Sequence, residues 1–514
     1  MKKLLLFILL PAVLAANAQM PSAAIDSLAD LTLKEFDVPG MAIGVVKDGK
    51  LIHAKGYGVR SLKTMQPVNE NTLFGIASNS KAFTAAAIAM LIEEGKMNWD
   101  DKVRKYIPEF TLYDPYVSEE FTIRDLLCHR SGLGLGAGDL MFFPEGGNFT
   151  VNDIIQNLRY LKPVSSFRSK YDYNNNMFIV AGEVIKRVSG SSWEDFIETR
   201  IMKPLGFTAS TASYNRVKNN ANIIDAHAPV NGKAVQVPHD WNEIADAAGG
   251  IMSNITDLSK WVIAQLNGGT YGDGKKLFGA KMQNDMWNIQ TPFYVAPNGP
   301  YGSGFGGYGL GWVLSDVKGH KQVGHTGGLI GTVTQITLIP DMKLGIIVLT
   351  NQQVGAAFGT ITNTIKDSYL GYQKRDWLKI NSQRVSNNWK EANAITDSIN
   401  RLVLAAEKIK APCLKQDQVT GTYHDNWMGD IHIIKKGNVL SIRFERSPRL
   451  TGHLLYLNNN TYVARWDDRS YDADAYITFT IDKQGVAESF KMEAISPMTD
   501  FSFDFHDLDP KRKK

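Results

Sequence analysis

Ser78 and Lys81 are a pair of residues whose types and spacing could carry out chemistry. They begin the segment 78–94, whose alanine-rich, mostly unbranched residues predict a helix that ends at Gly95. A spacing of three places both side chains on one helix face, and the positive end of the helix dipole favours negative charge near Ser78. A lysine amine in a partly desolvated cleft can be neutral and can take the proton of a serine hydroxyl. The pair predicts a nucleophilic serine with an amine base.

The Ser-x-x-Lys pattern alone is weak evidence, because it should occur about twice by chance in a chain of 514 residues. A second copy is present at Ser315 and Lys318. It follows the strand-like segment 308–314, and residues three apart on a strand do not share a face. We therefore discard the second copy, and Ser78 needs support from elsewhere in the chain.

Tyr173 and Asn175 lie in a polar turn that leads into an apolar helix ending at Gly190. Two side chains spaced in this way on a turn can both point into a cleft. The alternative is an asparagine-rich loop tip without a function, and the same pair also occurs at Tyr456 and Asn458. The position of Tyr173 between the serine motif and the histidine motif described next favours the functional interpretation.

His325, Thr326, Gly327 and Gly328 are predicted to lie on or just before a strand. Glycines there let a substrate backbone approach and leave N–H groups free for an oxyanion. The alternative is a turn at the edge of a sheet that merely contains a histidine. A different histidine, His129, is predicted beside the end of a short helix, where histidines are more often structural, and we leave it out of the catalytic set.

Three motifs follow one another in the order Ser78-x-x-Lys81, Tyr173-x-Asn175 and His325-Thr326-Gly327. Together they resemble the motifs of the serine β-lactamase and penicillin-binding protein superfamily, and they are closest to its class C β-lactamase, D-alanyl-D-alanine carboxypeptidase and esterase branch. Segment 122–133 and the Gly249-Gly250 turn also look like that branch. The resemblance covers roughly residues 20–370. It departs from class C β-lactamases at position 325, where those enzymes have lysine and the peptidase and esterase members have histidine.

The resemblance implies that Ser78 attacks an amide or ester carbonyl and forms an acyl-enzyme, while Lys81 and Tyr173 share the proton transfers. The backbone N–H groups of Ser78 and Gly328 would hold the oxyanion, and Asn175 would orient Lys81 and the substrate amide. Water would then hydrolyse the acyl-enzyme, with Tyr173 as the favoured base. The division of roles between Lys81 and Tyr173 stays open at this point.

The resemblance also implies that His325 and Thr326 bind the polar or carboxylate end of the substrate. Because His325 replaces the lysine of class C β-lactamases, we expect a peptidase, carboxypeptidase or esterase, with β-lactam hydrolysis at most a secondary activity. A muropeptide, a D-amino-acid peptide, an ester and a β-lactam all remain open as the substrate. No metal or cofactor is implied.

The predicted fold of this part is α/β (α+β), with an antiparallel sheet flanked by helices, a mostly helical insertion, and the cleft between them. Residues 41–59 predict a β-hairpin, and residues 324–340 and 344–351 predict two further strands. A helix is predicted at about residues 23–36, and Asn254 is predicted to cap another.

Beyond the hydrolase-like part, the composition changes twice. Residues 376–413 are polar and helix-forming, which predicts a linker, and residues 414–514 alternate strand-like runs with turns. The second part predicts a small all-β barrel that resembles the lipocalin-like domain often appended to this hydrolase family. The expected strands are 431–434, 440–444, 462–466, 477–481 and 501–505. Its histidines and aspartates fit no standard metal site.

The first 18 residues predict a signal peptide. Two lysines precede an apolar run from Leu4 to Leu14, and Ala16-Asn17-Ala18 forms a small-residue cleavage site. The run is shorter than the roughly 20 residues that cross a bilayer, and we predict no other transmembrane segment. We therefore expect an exported protein, secreted or periplasmic, whose hydrolase domain occupies residues 19–375.

Charge and cysteine content limit the choice of partners. The formal net charge is +4, and subtracting the six positive charges at the two chain ends leaves −2, so no footprint of nucleic-acid binding is visible. The basic tail 511–514 is expected to fray in solvent. Cys128 and Cys413 are expected to be unpaired thiols, one of them buried. The oligomeric state stays open.

Two other hypotheses remain. The first is a non-catalytic protein that binds or senses cell-wall peptides on the same fold, although a pure binder needs no nucleophile. The second makes the C-terminal barrel a lid or an oligomer contact that narrows access to the cleft.

Overall fold

The computed structural model describes residues 19–218, 221–239, 241–372, 375–406, 408 and 414–513. The predicted signal peptide and Cys413 lie outside these residues, and Cys128 is buried as a free thiol. Within the described ranges, none of the helices combines the length and the apolar composition that crossing a membrane requires. The helices are α1 (Ser22–Glu35), α2 (Ser80–Glu93), α3 (Pro115–Glu120), α4 (Ile123–Leu126), α5 (Val151–Asn157), α6 (Asn176–Ser189), α7 (Trp193–Ile197), α8 (Asp246–Gly249), α9 (Ile255–Leu266), α10 (Ala280–Met286), α11 (Gly355–Leu370), α12 (Trp377–Ala406) and α13 (Gln416–Val419).

An eight-stranded sheet forms the centre of the first domain, and every neighbouring pair in it is antiparallel. The strand order is β2-β1-β8-β7-β6-β5-β4-β3. The strands are β1 (Gly40–Lys47), β2 (Lys50–Gly58), β3 (Thr291–Pro292), β4 (Gly306–Tyr308), β5 (Val313–Val317), β6 (His320–Leu329), β7 (Thr332–Ile339) and β8 (Leu344–Thr350). The predicted hairpin, the predicted strand at 344–351 and the antiparallel sheet are confirmed. The single strand predicted at 324–340 is wrong, because this segment contains the end of β6 and all of β7, which pair as a hairpin around residues 330–331.

Alternating residues of the central strands pack against helices on both sides of the sheet. Ile346 and Val348 of β8 join the apolar cluster of α1 and α11, whereas Ile347 and Leu349 join the cluster of α2, α6 and α9. This two-sided burial explains why β8 is an uninterrupted apolar strand. The second face carries the helical part of the domain, including Ser78.

A closed barrel of eight antiparallel strands forms the C-terminal domain, as predicted. Its strands are β9 (Gly421–Asp425), β10 (Gly429–Lys436), β11 (Val439–Phe444), β12 (Thr451–Asn458), β13 (Thr461–Trp466), β14 (Ala475–Ile481), β15 (Ala487–Ala494) and β16 (Lys511–Arg512). The predicted strand at 501–505 is wrong, because this segment is a loop with a 3-10 turn at Phe505–Asp507. Phe503 and Phe505 are buried in the core, so the alternation reflects burial in a loop.

The basic tail also differs from the prediction, because it belongs to the barrel. Lys511 and Arg512 form the strand that closes the barrel between β9 and β15. The Arg512 guanidinium donates to the carbonyl oxygens of Thr420 at 2.7 Å and Gln418 at 2.8 Å. Arginine side chains that satisfy backbone carbonyls in this way hold a chain end in place.

The barrel packs directly on the first domain. The rings of Phe143 and Phe503 meet edge to face with their centroids 5.0 Å apart. The Asn157 side chain donates to the carbonyl oxygen of Trp427 at 2.8 Å, and Arg446 forms an ion pair with Asp153 at 2.9 Å. One side of the cleft described below is therefore built by the barrel.

Candidate active site

Ser78 lies in a single 3-10 turn, Ala77–Asn79, that precedes helix α2. Ala77 has a positive φ of 49°, a left-handed conformation that is unfavourable for alanine. The turn is held by Thr334 of β7, whose hydroxyl donates to the Ile76 carbonyl at 2.9 Å and accepts from the Asn79 amide at 2.9 Å. The helix therefore begins slightly later than predicted, and Ser78 is presented on a fixed turn at its start.

Lys81 is completely buried and points at Ser78. Its Nζ atom donates to Ser78 Oγ at 3.0 Å, to Asn175 Oδ1 at 2.7 Å and to the Ala248 carbonyl at 2.8 Å. Burial lowers the pKa of Lys81 to about 7, while the Asp139 carboxylate acts in the opposite direction. A lysine of this kind is half neutral near pH 7 and can accept the serine proton.

Asn175 connects Lys81 to a carboxylate that the sequence did not indicate. Its Oδ1 accepts from Lys81, and its Nδ2 donates to Asp139 Oδ2 at 2.8 Å. Asp139 is fully buried, and burial raises its pKa to about 8 while the hydrogen bonds from Asn175 and Ser502 lower it by less. The predicted role of Asn175 in orienting Lys81 fits this geometry.

Tyr173 lies beside Lys81, with its ring centroid 4.9 Å from the Lys81 Nζ atom. Its hydroxyl is buried and has no hydrogen-bond partner among the described residues. Burial raises the pKa of Tyr173 well above its usual value, and proximity to the Ser78 hydroxyl lowers it by less. The phenol therefore keeps its proton at neutral pH, and this geometry favours Lys81 over Tyr173 as a base.

His129 lies under Tyr173 and does not face the cleft. The two ring centroids are 4.1 Å apart, and His129 Nδ1 accepts from the backbone N–H of Asn174 at 3.0 Å. Burial holds the pKa of His129 well below its usual value. His129 therefore packs against the Tyr173 turn as a neutral ring, and its role is structural.

His325 borders the cleft, but both of its ring nitrogens have protein partners. Nδ1 donates to the Thr326 carbonyl, so Nε2 accepts from the Tyr308 hydroxyl at 2.8 Å. Burial lowers the pKa of His325 to about 3, which keeps the ring neutral. Protein groups therefore hold both ring nitrogens of His325 in this arrangement, whereas Thr326 is exposed. The contact of His325 and Thr326 with the polar or carboxylate end of a substrate stays a prediction.

The two glycines of the third motif have different positions. A Cβ atom on Gly327 would lie 2.3 Å from the Ile76 carbonyl oxygen and 2.9 Å from Ala77 Cβ, whereas one on Gly328 would meet nothing within 4 Å. Gly327 therefore allows β6 to pack on the turn that carries Ser78. Gly328 faces the open cleft, as expected for a residue near a substrate.

We expect Gly327→Ala to lower the stability of the protein by about 1–3 kcal/mol, because overpacking forces β6 away from the Ser78 turn. Gly328→Ala is the matched control and should unfold at the wild-type temperature. Thermal unfolding followed by circular dichroism measures both. Equal midpoints for the two variants would contradict the packing role of Gly327.

A cavity of about 580 Å³ opens in front of Ser78. Phe501 of the barrel lines it and meets the Tyr173 ring edge to face, with centroids 5.7 Å apart. A second cavity of about 620 Å³ adjoins the first and shares Phe143, Leu329 and Phe358 with it. The residues of the three motifs that line the first cavity are Ser78, Tyr173, Asn175, His325, Thr326, Gly327 and Gly328.

The structure thus brings the three predicted motifs to one cleft, with Lys81 beneath Ser78. Sequence reasoning missed the Ala248 carbonyl, Asp139, Tyr308 and the barrel loop with Phe501. The Ala248 carbonyl could have been suspected, because it directly precedes the Gly249-Gly250 turn. A single aspartate in a glycine-rich segment and a loop from another domain carry no comparable signal.

Comparisons with known proteins agree with this geometry. A family model described as Beta-lactamase matches residues 25–370, and a second one, Domain of unknown function (DUF3471), matches residues 405–512. The octameric penicillin-binding protein homologue from Pyrococcus abyssi superposes with a TM-score of 0.62 at 23% identity, covering 96% of this chain and 100% of that one. At this level of identity the similarity concerns the fold.

Two named relatives share part of the chain. Unguisins hydrolase ungD of Aspergillus violaceofuscus (strain CBS 115571) is 29% identical over 67% of this chain, and protein flp of Staphylococcus aureus (strain MW2) is 26% identical over 64% of it. The matches span 64% and 62% of those two relatives. With the family model matching most of the chain and Ser78, Lys81, Tyr173 and Asn175 assembled in one cleft, this chain belongs to the beta-lactamase family of serine hydrolase-type proteins.

Proposed function

We propose that the protein is an exported serine hydrolase that cleaves an amide or ester through an acyl-enzyme on Ser78. The observation that carries this proposal is the 3.0 Å hydrogen bond between Lys81 Nζ and Ser78 Oγ, combined with the burial that lowers the pKa of Lys81 to about 7. A neutral amine at this distance can take the hydroxyl proton while the oxygen attacks a carbonyl.

The first half of the reaction follows from these positions. Ser78 Oγ forms a bond to the substrate carbonyl carbon as its proton passes to Lys81, and the resulting ammonium then gives that proton to the leaving nitrogen or oxygen. The backbone N–H groups of Ser78 and Gly328 are proposed to stabilise the oxyanion, since both residues line the same cavity. The buried Tyr173 phenol stands next to Ser78 and Lys81 as a neutral donor.

The second half of the reaction releases the acyl group. A water molecule takes the place of the leaving group, gives a proton to Lys81 and attacks the ester carbonyl. Ser78 leaves as a hydroxyl after recovering a proton. The family resemblance favours Tyr173 as the base in this step. Because the Tyr173 phenol keeps its own proton, we propose Lys81 as the base instead.

The shape of the cleft supports a peptide-like substrate. Strand β5 pairs with β6 only as far as Gly324, so residues 325–329 of β6 have no strand neighbour on that side within the described sheet. An extended peptide can pair with such an edge through backbone hydrogen bonds. The cavity of about 580 Å³ that Ser78 lines adjoins a second one of about 620 Å³, which gives room for a substrate that extends beyond Ser78. We therefore favour a peptidase or carboxypeptidase, with D-amino-acid-containing peptides and esters in the test panel.

The test is intact-mass spectrometry after reaction with a fluorophosphonate probe. We expect one adduct on the wild type and none on Ser78→Ala. Ser315→Ala is the matched control, because it removes the serine of the second Ser-x-x-Lys copy, which lies on strand β5. It should keep the adduct.

The alternative is a non-catalytic protein that binds cell-wall peptides in the same cleft. A folded wild type that gives no adduct with fluorophosphonates or activated esters would contradict the hydrolase and favour this alternative. The buried Lys81 argues against it, because a binding protein gains nothing from a desolvated amine next to a serine.

A further inference from the structure

Asp139 is a buried carboxylate whose charge acts on the catalytic lysine, and it is not among the residues that line the cleft. Its Oδ2 atom accepts two hydrogen bonds, from Asn175 Nδ2 at 2.8 Å and from Ser502 Oγ at 2.9 Å. Ser502 belongs to the barrel, in the loop between β15 and β16. A side chain of the C-terminal domain is therefore connected to Lys81 by three hydrogen bonds, through Asp139 and Asn175.

The same barrel loop also binds the backbone on both sides of Asp139. The Asp504 carboxylate accepts from the N–H of Gly138 at 2.5 Å and from the N–H of Leu140 at 3.2 Å. Asp504 is fully buried, so it reaches this backbone without competing water. The position of the Asp139 side chain is thus fixed from three directions by residues of the barrel and the 173–176 turn.

The donor and acceptor atoms in this network determine how the Asn175 side-chain amide is oriented. Asp139 Oδ2 accepts from Asn175 whether the carboxyl group is ionised or carries its proton on Oδ1, which has no hydrogen-bond partner among the described residues. Asn175 therefore turns its NH₂ group toward Asp139 and its oxygen toward Lys81. Without that acceptor the Asn175 amide could rotate and present its NH₂ group to the Lys81 amine. Lys81 would then lose one of the acceptors that aim it at Ser78.

We propose that Asp139 is a positioning residue for the Asn175–Lys81 pair, and that Ser502 and Asp504 hold it in place, so that the C-terminal barrel is a structural part of the active site. This inference rests on the proposed hydrolase function. It gives the appended domain a role that differs from that of a lid, because its contact is with Asp139, which is not among the residues that line the cleft.

The test compares variants of Asp139 in the full-length protein with a small activated ester such as 4-nitrophenyl acetate. Asp139→Ala should reduce kcat by about 100-fold with little change in KM, because neither Asp139 nor the hydrogen bonds it accepts touch the substrate. Asp139→Asn should keep kcat within about tenfold of the wild type, because its side-chain oxygen can still accept from both Asn175 and Ser502.

Ser502→Ala tests the contribution of the barrel. It should reduce kcat by about three- to tenfold, in line with the loss of one hydrogen bond between uncharged groups. Ser441→Ala is the matched control, because that barrel hydroxyl donates only to the Ile434 carbonyl within the barrel. Ser441→Ala should leave kcat and KM at the wild-type values.

Several outcomes would overturn the proposal. A folded Asp139→Ala with wild-type kcat, or one in which only KM rises, would rule out the positioning role. If Asp139→Asn is as slow as Asp139→Ala, the hydrogen bonds that Asp139 accepts from Asn175 and Ser502 do not explain its effect on kcat. If Asp139→Ala does not fold, the proposal is tested with Ser502→Ala and Asp139→Asn. A wild-type kcat in Ser502→Ala would show that the barrel has no role in the active site.

The wild type separates this inference from the function on which it rests. Wild type that forms no fluorophosphonate adduct would overturn the hydrolase itself. Wild type that reacts, together with Asp139 and Ser502 variants that react equally fast, would overturn the positioning role of Asp139 and of the barrel and leave the hydrolase function standing.

Discussion

Lys81→Met is expected to reduce the rate of acylation of Ser78 by about 10³-fold, within the range that loss of a general base produces. Methionine has nearly the length of lysine and fills the same space, but it cannot accept a proton or donate to Asn175 and the Ala248 carbonyl. Ser78 would then face a site with no base, since the Tyr173 phenol keeps its own proton. The rate of fluorophosphonate labelling under single-turnover conditions measures this step directly.

The chain offers a matched control in Lys366. This lysine is also buried, and burial lowers its pKa to about 7, but it lies on α11 and donates to the Gln322 side chain at 2.9 Å. Lys366→Met therefore removes a similar amine from a position that plays no part in the proposed reaction. It should label at the wild-type rate, even where its stability changes. Equal labelling by Lys81→Met and wild type would rule out Lys81 as the base.

The parts of the fold that could be predicted from sequence are those with a local pattern. The hairpin of β1 and β2 has a turn between two β-rich runs, β8 is a short apolar run, and the helix that follows Ser78 is alanine-rich. The segment 501–505 shows where this reasoning fails. Its alternating phenylalanines read as a strand, but Phe503 and Phe505 enter the core from a loop whose path is decided by contacts with the other domain.

In the candidate site, too, some residues could be predicted from the sequence and others could not. Ser78, Lys81, Tyr173 and Asn175 could be found because each belongs to a short motif with a chemical meaning. Asp139 could not, because its role comes from two partners 36 and 363 residues away in the chain. The hydrogen bond between His325 and Tyr308 could not be predicted for a related reason, since β5 separates β4 from β6 in the sheet.

The rate of acylation is expected to rise with pH through a midpoint near 7. Lys81 must be neutral to accept the Ser78 proton, and burial lowers its pKa to about 7 from the usual value of about 10.4. Below that midpoint the neutral fraction, and with it the rate, should fall about tenfold for each pH unit. Above pH 8 the rate should level off, because the amine is then almost entirely neutral.

The two histidines near Lys81 make this profile easy to interpret. Histidine is the usual cause of a transition near neutral pH, but burial lowers the pKa of His325 to about 3 and holds that of His129 well below its ordinary value. Burial also raises the pKa of Asp139 to about 8, so a midpoint near 7 reports Lys81 if it is unchanged in Asp139→Asn, whose side chain does not titrate. A rate that does not change between pH 5 and pH 9 would contradict the neutral-lysine mechanism. A midpoint near 10 would show instead that the Lys81 amine is charged in the resting enzyme and that the buried cleft fails to lower its pKa.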